Sequence, residues 1–558
     1  MAKINSQLLF LTTSPRTPDK MIPEIGLLVK HFEGQVWDKA KQRMFMSLLR
    51  DENFFQGDGA NRPDFSARDR INRAPKSLGF VSLKPRIELT EAGRKLLTSK
   101  RTDEVFLRQL LKFQVPSPYH VPSDKAADFC VKPYLEIIRL IRTLGTLSFD
   151  ELQIFGMQLT DYHKFDEILK RIERFRRAKV ENTGTYRRFK TEYFDSELRR
   201  IYSDRINRGE TKTRESNDVT LAKFLSTQTN NTRDYADACF RYLRITGLVN
   251  VSHAGKSLSI VRERIPDVDY ILENIIREPV FVDDLEGYKS YLENADTPLL
   301  LTDNRELLLA KIHTEFPDYD ISTTLTTDEL KDVLNTKLEQ RKQQLIRTQV
   351  SEIKDYRQYD DIQQVYERIR SKELYDAPLM LEWNTWRAMT MLDGGKITAN
   401  LRFDDFGKPL STAPGNSADI ICDYGDFFVC VEVTMASGQR QYETEGEPVM
   451  RHLGKMQMTS GKPCFCLFVS PSINDACVSY FYSLNHTNLR MYGGKLRILP
   501  MPLDFFRKML EDSFKSSFVP ESRHILKFFV SSAELADKCK DEVEWYENVK
   551  DMALHWLE

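Results

Sequence analysis

The chain has 558 residues, of which 29% are charged and 41% hydrophobic, with a formal net charge of −1. That length holds three or four domains with cores of their own, and the composition is an ordinary soluble one. No run of about 18 apolar residues occurs and Met1 to Phe10 lack signal-peptide architecture, so the sequence reads as a cytoplasmic protein without a membrane partner.

The stretch Ser14-Pro15-Arg16-Thr17-Pro18 opens as a proline-stiffened arm. Arg16 and Lys20 on it can lie along a DNA groove or backbone, or the arm can simply strap the surface. Helices are expected over 22–31, 39–49 and 65–78, the last with Ser66 as a cap. Short strands over 79–83 and 86–90 and a helix over 91–97 complete the outline of a winged helix, in which a helix enters the major groove and the wing touches backbone. Arg68, Arg70 and Arg73 are the side chains directed toward DNA, because Arg makes paired hydrogen bonds to guanine or clamps phosphate. Asp69 can accept from cytosine or pair with a neighbouring Arg.

A second module has helices over 134–144 and 149–157, with Ser148 as a natural cap. Between residues 164 and 214 there are 16 Lys and Arg against 9 Asp and Glu, a basic band inside a neutral whole. Nucleic-acid affinity depends on where positive charge lies, since counterions are released locally; the plain alternative is a solvated helix surface. A helix over 232–244 with strands over 247–251 and 258–261 again has the outline of helix plus wing. From 281 to 372 the pattern is charged amphipathic helix. Thr326-Thr327-Asp328-Glu329 forms a capping box there, and Leu330, Val333, Leu334 and Leu338 recur at helical spacing. This stretch reads as a stiff spacer.

From about 373 onward the elements alternate. A helix over 378–392 bears Glu382; strands over 418–422 and 427–434 flank the turn Asp423-Tyr424-Gly425-Asp426; a helix over 447–457, a buried strand over 465–469, a helix over 475–484, a strand over 497–500 and a helix over 503–512 complete an α/β layer. Cys464 and Cys466 belong to that buried strand, and the eight cysteines, with no paired C-x-x-C set, read as reduced thiols rather than zinc ligands or disulfides. Side chains alternate along a strand, so Glu432 and Thr434 project together while Val431 and Val433 pack behind them. Asp419 can fold back beside Glu432. Two carboxylates converging in an apolar setting suit a hard divalent cation such as Mg²⁺; the plain alternative is one edge acid and one turn Asp.

The order Asp419, Glu432-Val433-Thr434 and Glu445-Gly446-Glu447-Pro448-Val449-Met450-Arg451-His452, preceded by Ser14-Pro15-Arg16-Thr17-Pro18, Phe65-Ser66-Ala67-Arg68-Asp69-Arg70 and Gly79-Phe80-Val81, resembles the AlwI/PleI/BstNBI family of type IIS restriction endonucleases, whose nuclease domain is a divergent PD-(D/E)XK fold. The resemblance implies a mainly helical, winged-helix-like recognition region before an α/β PD-(D/E)XK-like catalytic domain with a mixed sheet. The expected division is 1–125 and 126–280 for recognition, 281–372 as helical linker and 373–558 as nuclease. The family's acidic set falls on Glu382, Asp419, Glu432 and Glu445, the first three as ligands of Mg²⁺. Thr434 stands where the motif has Lys, with Glu445 as the candidate replacement; His452 and Lys455 can supply the missing positive charge, His452 being equally readable as structural. The implied activity is cleavage of double-stranded DNA at a fixed distance outside a short asymmetric site, one strand per catalytic domain. A second copy or a small catalytic subunit would cut the other strand. The alternatives are a strand-specific nicking enzyme of the same family, a structure-selective repair nuclease, and a non-catalytic winged-helix DNA-binding regulator.

Overall fold

The computed structural model describes all residues except Met1, 52–62, Lys125, Arg214, Glu215, 252–256, Thr323, Asp393, Asn416 and Glu558. Arg214, the last cation of the basic band, therefore lies outside the described residues. The chain divides into two compact units, one ending at Thr336 and the other continuing from Lys337.

In the first unit the helices expected over 22–31 and 39–49 are Met21–Phe32 and Lys39–Asp51. The single helix expected over 65–78 is two. Pro63 lacks an N–H and presets the backbone for a first turn, so the helix starts there, Pro63–Asn72, and Ser66 lies within it rather than capping it. The chain breaks at Arg73, and a short helix, Ala74–Ser77, carries Pro75 in its first turn, where a missing N–H costs nothing. An antiparallel pair, Val81–Ser82 with Glu88–Leu89, follows. Thr90 then caps helix Glu91–Thr98, its Oγ1 accepting from the Gly93 N–H at 3.0 Å.

Helix Pro133–Leu144 leads into Thr146–Ser148, an outer strand of a three-stranded antiparallel sheet centred on Ser257–Ile260, with Val249–Val251 on its other side. Ser148 caps Phe149–Ile154 in a reciprocal box with Glu151, as its position implied. The basic band forms helices Phe165–Glu181 and Tyr186–Ile201. The helix expected over 232–244 runs from Leu221 to Arg244, started by a Thr220 cap that the polar run 226–233 masks in the sequence. Four more helices occupy the region read as a spacer: Leu285–Glu293, Arg305–Glu315, Thr327–Lys354 and Tyr359–Arg370. The expected capping box is present, the Thr326 N–H donating to the Glu329 carboxylate at 2.7 Å and the Glu329 N–H to Thr326 Oγ1 at 3.3 Å.

The second unit is built on a mixed five-stranded sheet whose spatial order follows the chain. Strands β1 (Lys396–Ala399), β2 (Ile420–Asp423) and β3 (Phe428–Val433) form an antiparallel meander. Strands β4 (Cys464–Ser470) and β5 (Arg497–Pro502) then add in parallel. All seven residues of β4 are buried, as a parallel strand covered on both faces requires. Helix α1 (Ala377–Leu392) precedes the sheet, and helix α2 (Gln439–Ser460) is the crossover from β3 to β4. Sequence spacing starts α2 near 447 because Pro448 resembles a first-turn proline; the helix instead begins two turns earlier and carries Pro448 inside it. Its first turn is fastened by the Gln441 side chain, which donates to Ala436 O, Ser470 Oγ and Ser472 O and accepts from the Asn474 N–H. Strand β1 and helices Ser522–Leu535 and Glu542–Leu554 were not expected. Among the described residues no helix is long and apolar enough to cross a membrane.

Candidate active site

Strand register brings the first two acids together. Ile420 pairs with Val431 across β2 and β3, and one step further along the ladder sets Asp419 opposite Glu432, on a shared face. Like charges directly opposite destabilise a strand pair, so the arrangement works against the sheet that creates it. Asp419 Oδ2 accepts from the Val433 N–H at 2.8 Å. Glu432 is only 6% exposed, and its Oε1 lies 2.8 Å from His452 Nδ1 on α2.

The helices bring the rest. Glu382, 3% exposed on α1, accepts from the Ala413 N–H at 2.9 Å through Oε1. Glu445 sits on α2 only because that helix starts early, and its Oε1 accepts from Thr434 Oγ1 at 2.9 Å and from Thr444 Oγ1 at 3.3 Å. Thr434, read in the sequence as standing where the motif has Lys, thus holds Glu445 by its hydroxyl. His452 Nε2 is buried and without a hydrogen-bond partner among the described residues. Gln441, one turn before Glu445, positions the same helix and was not singled out in the sequence, where nothing separates it from a surface Gln.

The electrostatics show these groups acting on one another. Burial, then the charge of Asp419, pushes Glu382 well above the usual carboxylate range. Burial and Glu432, with a further contribution from Glu445, do the same to Asp419 against the opposing Val433 N–H. Glu432 is raised by burial and by Glu445 and Glu382. Glu445 is raised by burial although the Thr434 and Thr444 hydroxyls favour its anion. Burial, with Arg451 and Lys455 nearby, lowers His452 to about 4. The four acids are therefore electrostatic neighbours, yet among the described residues no three or more His, Cys, Asp or Glu side chains are arranged to hold a metal ion as they stand. What is formed is a crowd of acids, not a closed coordination shell. Its donors are nonetheless hard oxygens in a buried setting, the set that Mg²⁺ prefers.

The side chains expected to meet DNA are not equivalent. Arg70 is held through both Nε and Nη2 by Glu24, whose side chain is fully buried, a pair that ties helix Pro63–Asn72 to Met21–Phe32. Asp69 pairs with Arg73 at 2.5 Å, and Arg73 also donates to Thr13 Oγ1 at 3.1 Å. Arg16 is half exposed and paired with Asp234 at 3.0 Å. Arg68 is exposed, its guanidinium 5.0 Å from the Phe65 ring centroid.

A model of the AlwI restriction endonuclease family matches residues 76–509. Among solved structures, the small subunit R.BspD6I2 of the heterodimeric restriction endonuclease R.BspD6I is 22% identical over 36% of this chain and 95% of its own, with a TM-score of 0.28. The BpuJ1 endonuclease binding domain, solved with pyrene- and phenanthrene-modified DNA, is 14% identical over 50% of this chain and 92% of its own, with a TM-score of 0.32. No protein of curated function matches the chain.

Proposed function

Because the chain belongs to the AlwI restriction endonuclease family, we propose that it is a type IIS enzyme, which reads a short asymmetric duplex site and hydrolyses a phosphodiester at a fixed distance outside it. Family membership makes it a DNA nuclease of the restriction class. The observation that carries the finer reading is the crowding of Glu382 and Glu445, from the flanking helices, on Asp419 and Glu432 of the sheet, where folding alone would have placed a cation or an apolar side chain.

In this reading the second unit is a PD-(D/E)XK-like nuclease, with Asp419 and Glu432 as the motif acids and Thr434 in the Lys position. Glu382, Asp419 and Glu432 would hold a divalent cation, Mg²⁺ by the hardness of the donors. Bound there, the ion would lower the pKa of the attacking water and offset charge on the pentacovalent phosphate. Glu445, oriented by the Thr434 hydroxyl, would accept a hydrogen bond from that water and aim it. His452, turned by its Nδ1 contact to Glu432, keeps Nε2 for the substrate. Residues 1–125 and 126–280 would serve as winged-helix-like recognition modules, with Arg68 as the leading contact, Arg16 released on DNA from Asp234, and Asp69 and Arg73 released from each other. Residues 281–372 would be the spacer that sets the offset, and 373–558 the nuclease.

One acid cluster per chain cuts one strand. Double-strand cleavage would then need a second copy or a small catalytic subunit, and a nicking enzyme would need neither. The test is to incubate purified protein with supercoiled plasmid, with Mg²⁺ or with chelator, and to map the cut positions. The reading expects cuts at one offset from one recurring short sequence, only with metal; open circles identify nicking and linear product identifies paired cutting. Cutting that ignores sequence, or that proceeds in chelator, would refute it.

A further inference from the structure

The basic band has a division of labour that the sequence does not reveal. Helices Phe165–Glu181 and Tyr186–Ile201 pack through Phe175, whose ring lies 5.6 Å from Phe189 and 5.0 Å from Tyr193. Cations on the inner side are taken up by the fold: Arg171 by Glu197 and Gln158, Arg176 by Glu151, Lys190 by Asp150. Lys170, Arg174 and Arg177 are different. They are exposed, recur at spacings of four and three along Phe165–Glu181, and none has an ion-pair partner among the described residues. Residues so spaced share one helix face.

We propose that this face is a phosphate track for duplex DNA, supplying affinity without reading sequence. The inference rests on the restriction-endonuclease reading and adds a surface to it. From Lys170 to Arg177 the three cations span seven residue steps, about 10 Å of helix at 1.5 Å per residue. One strand of DNA carries about three phosphates in that length, at 3.4 Å each. A fold that pairs its inner cations and leaves an outer row unpaired retains charge for something it does not itself contain, and a polyanion fits.

The experiment uses the full chain and fluorescence anisotropy in chelator, so that nothing is cut, with one duplex holding the mapped site and one lacking it, over a salt series. The triple variant Lys170→Gln, Arg174→Gln, Arg177→Gln should lower the slope of log K against log [salt] by about 0.9 per lost contact, roughly two to three in all. Both duplexes should weaken by the same factor, with the circular dichroism spectrum and melting temperature unchanged. Removing the exposed acid of the same face, Glu173→Gln, should strengthen both. An unaltered salt slope in the triple variant overturns the proposal, and so does a selective loss for the site-bearing duplex, which would make the face a base reader. A wild-type chain that neither binds nor cuts any duplex sinks the restriction-endonuclease reading and the track with it, whereas a cutting wild type with an unaltered variant slope sinks the track alone.

Discussion

The buried acids of the first unit and the four clustered acids of the second are held in opposite ways. In the first, acids meet cations: Asp303 lies 2.8 Å from Arg108 and also pairs with Lys331, Asp267 lies 2.5 Å from Lys311, and Glu136 lies 2.7 Å from Arg277. Burial alone would raise Asp303, but Lys331 and Arg108 prevail and hold it below the usual carboxylate range. In the second, Glu382, Asp419, Glu432 and Glu445 face one another, held by backbone N–H groups, hydroxyls and an imidazole, and all are pushed up. Paired burial keeps a fold together; like-charge burial costs stability and persists where chemistry needs it. The contrast singles out the acid crowd as the candidate site without reference to any motif.

The largest effect expected from this contrast is catalytic. Asp419→Asn and Glu432→Gln each remove a charge that metal ligation would need, worth several kcal/mol at the transition state, so cleavage should fall about a thousandfold or more. The melting temperature should hold or rise, because a repulsion goes with the charge. Plasmid cleavage and a thermal melt on the same preparations check both halves; activity retained, or a large loss of stability, would erase the distinction between the units.

The mirror experiment is Asp303→Asn. It leaves Arg108, 4% exposed, without its counter-charge, at a cost of about 3 kcal/mol, and cleavage by the folded fraction should be unchanged. Urea unfolding read alongside cleavage measures this. A smaller effect comes from a third mode, burial as a neutral group. His120 lies between Ser77 Oγ and Ser117 Oγ, both 3.3 Å from its ring nitrogens, and burial lowers it to about 3. The unfolded chain takes up that proton near the ordinary value of about 6.5, so the stability His120 contributes is present above 6.5 and is lost as pH falls toward 3. The slope approaches about 1.4 kcal/mol per pH unit. Denaturant midpoints at pH 7, 6 and 5 should show it, and His120→Gln should flatten the dependence. Smallest is Thr434→Val, which removes the hydroxyl that holds Glu445, at about 1 kcal/mol. A several-fold slower cleavage with Thr434→Ser near wild type would confirm that the hydroxyl, not the methyl, matters.

Much of this was legible in the sequence. Ser148 and Thr326 marked helix starts, and the strand that carries Glu432 was legible although it ends at Val433, one residue short of Thr434, because these signals are local. Pro448 misled for the same reason: it is a good first-turn residue, and only the tertiary bonds of Gln441 to Ser470, Ser472 and Asn474 reveal that α2 begins earlier and so contains Glu445. The Arg70–Glu24 pair was not legible because its partners are 46 positions apart. No local pattern distinguishes an Arg reserved for DNA from one committed to a buried acid, or Lys170, Arg174 and Arg177 from the paired cations beside them.

The account depends most on the acid crowd of the second unit being a cation site. The direct measurement is the melting temperature of wild type, Asp419→Asn and Glu432→Gln across a Mg²⁺ titration without DNA, since a ligand that binds only the folded state stabilises it. The account predicts a saturable rise for wild type that is lost or strongly weakened in both variants. A wild type indifferent to Mg²⁺, or variants that respond as fully as wild type, would contradict it.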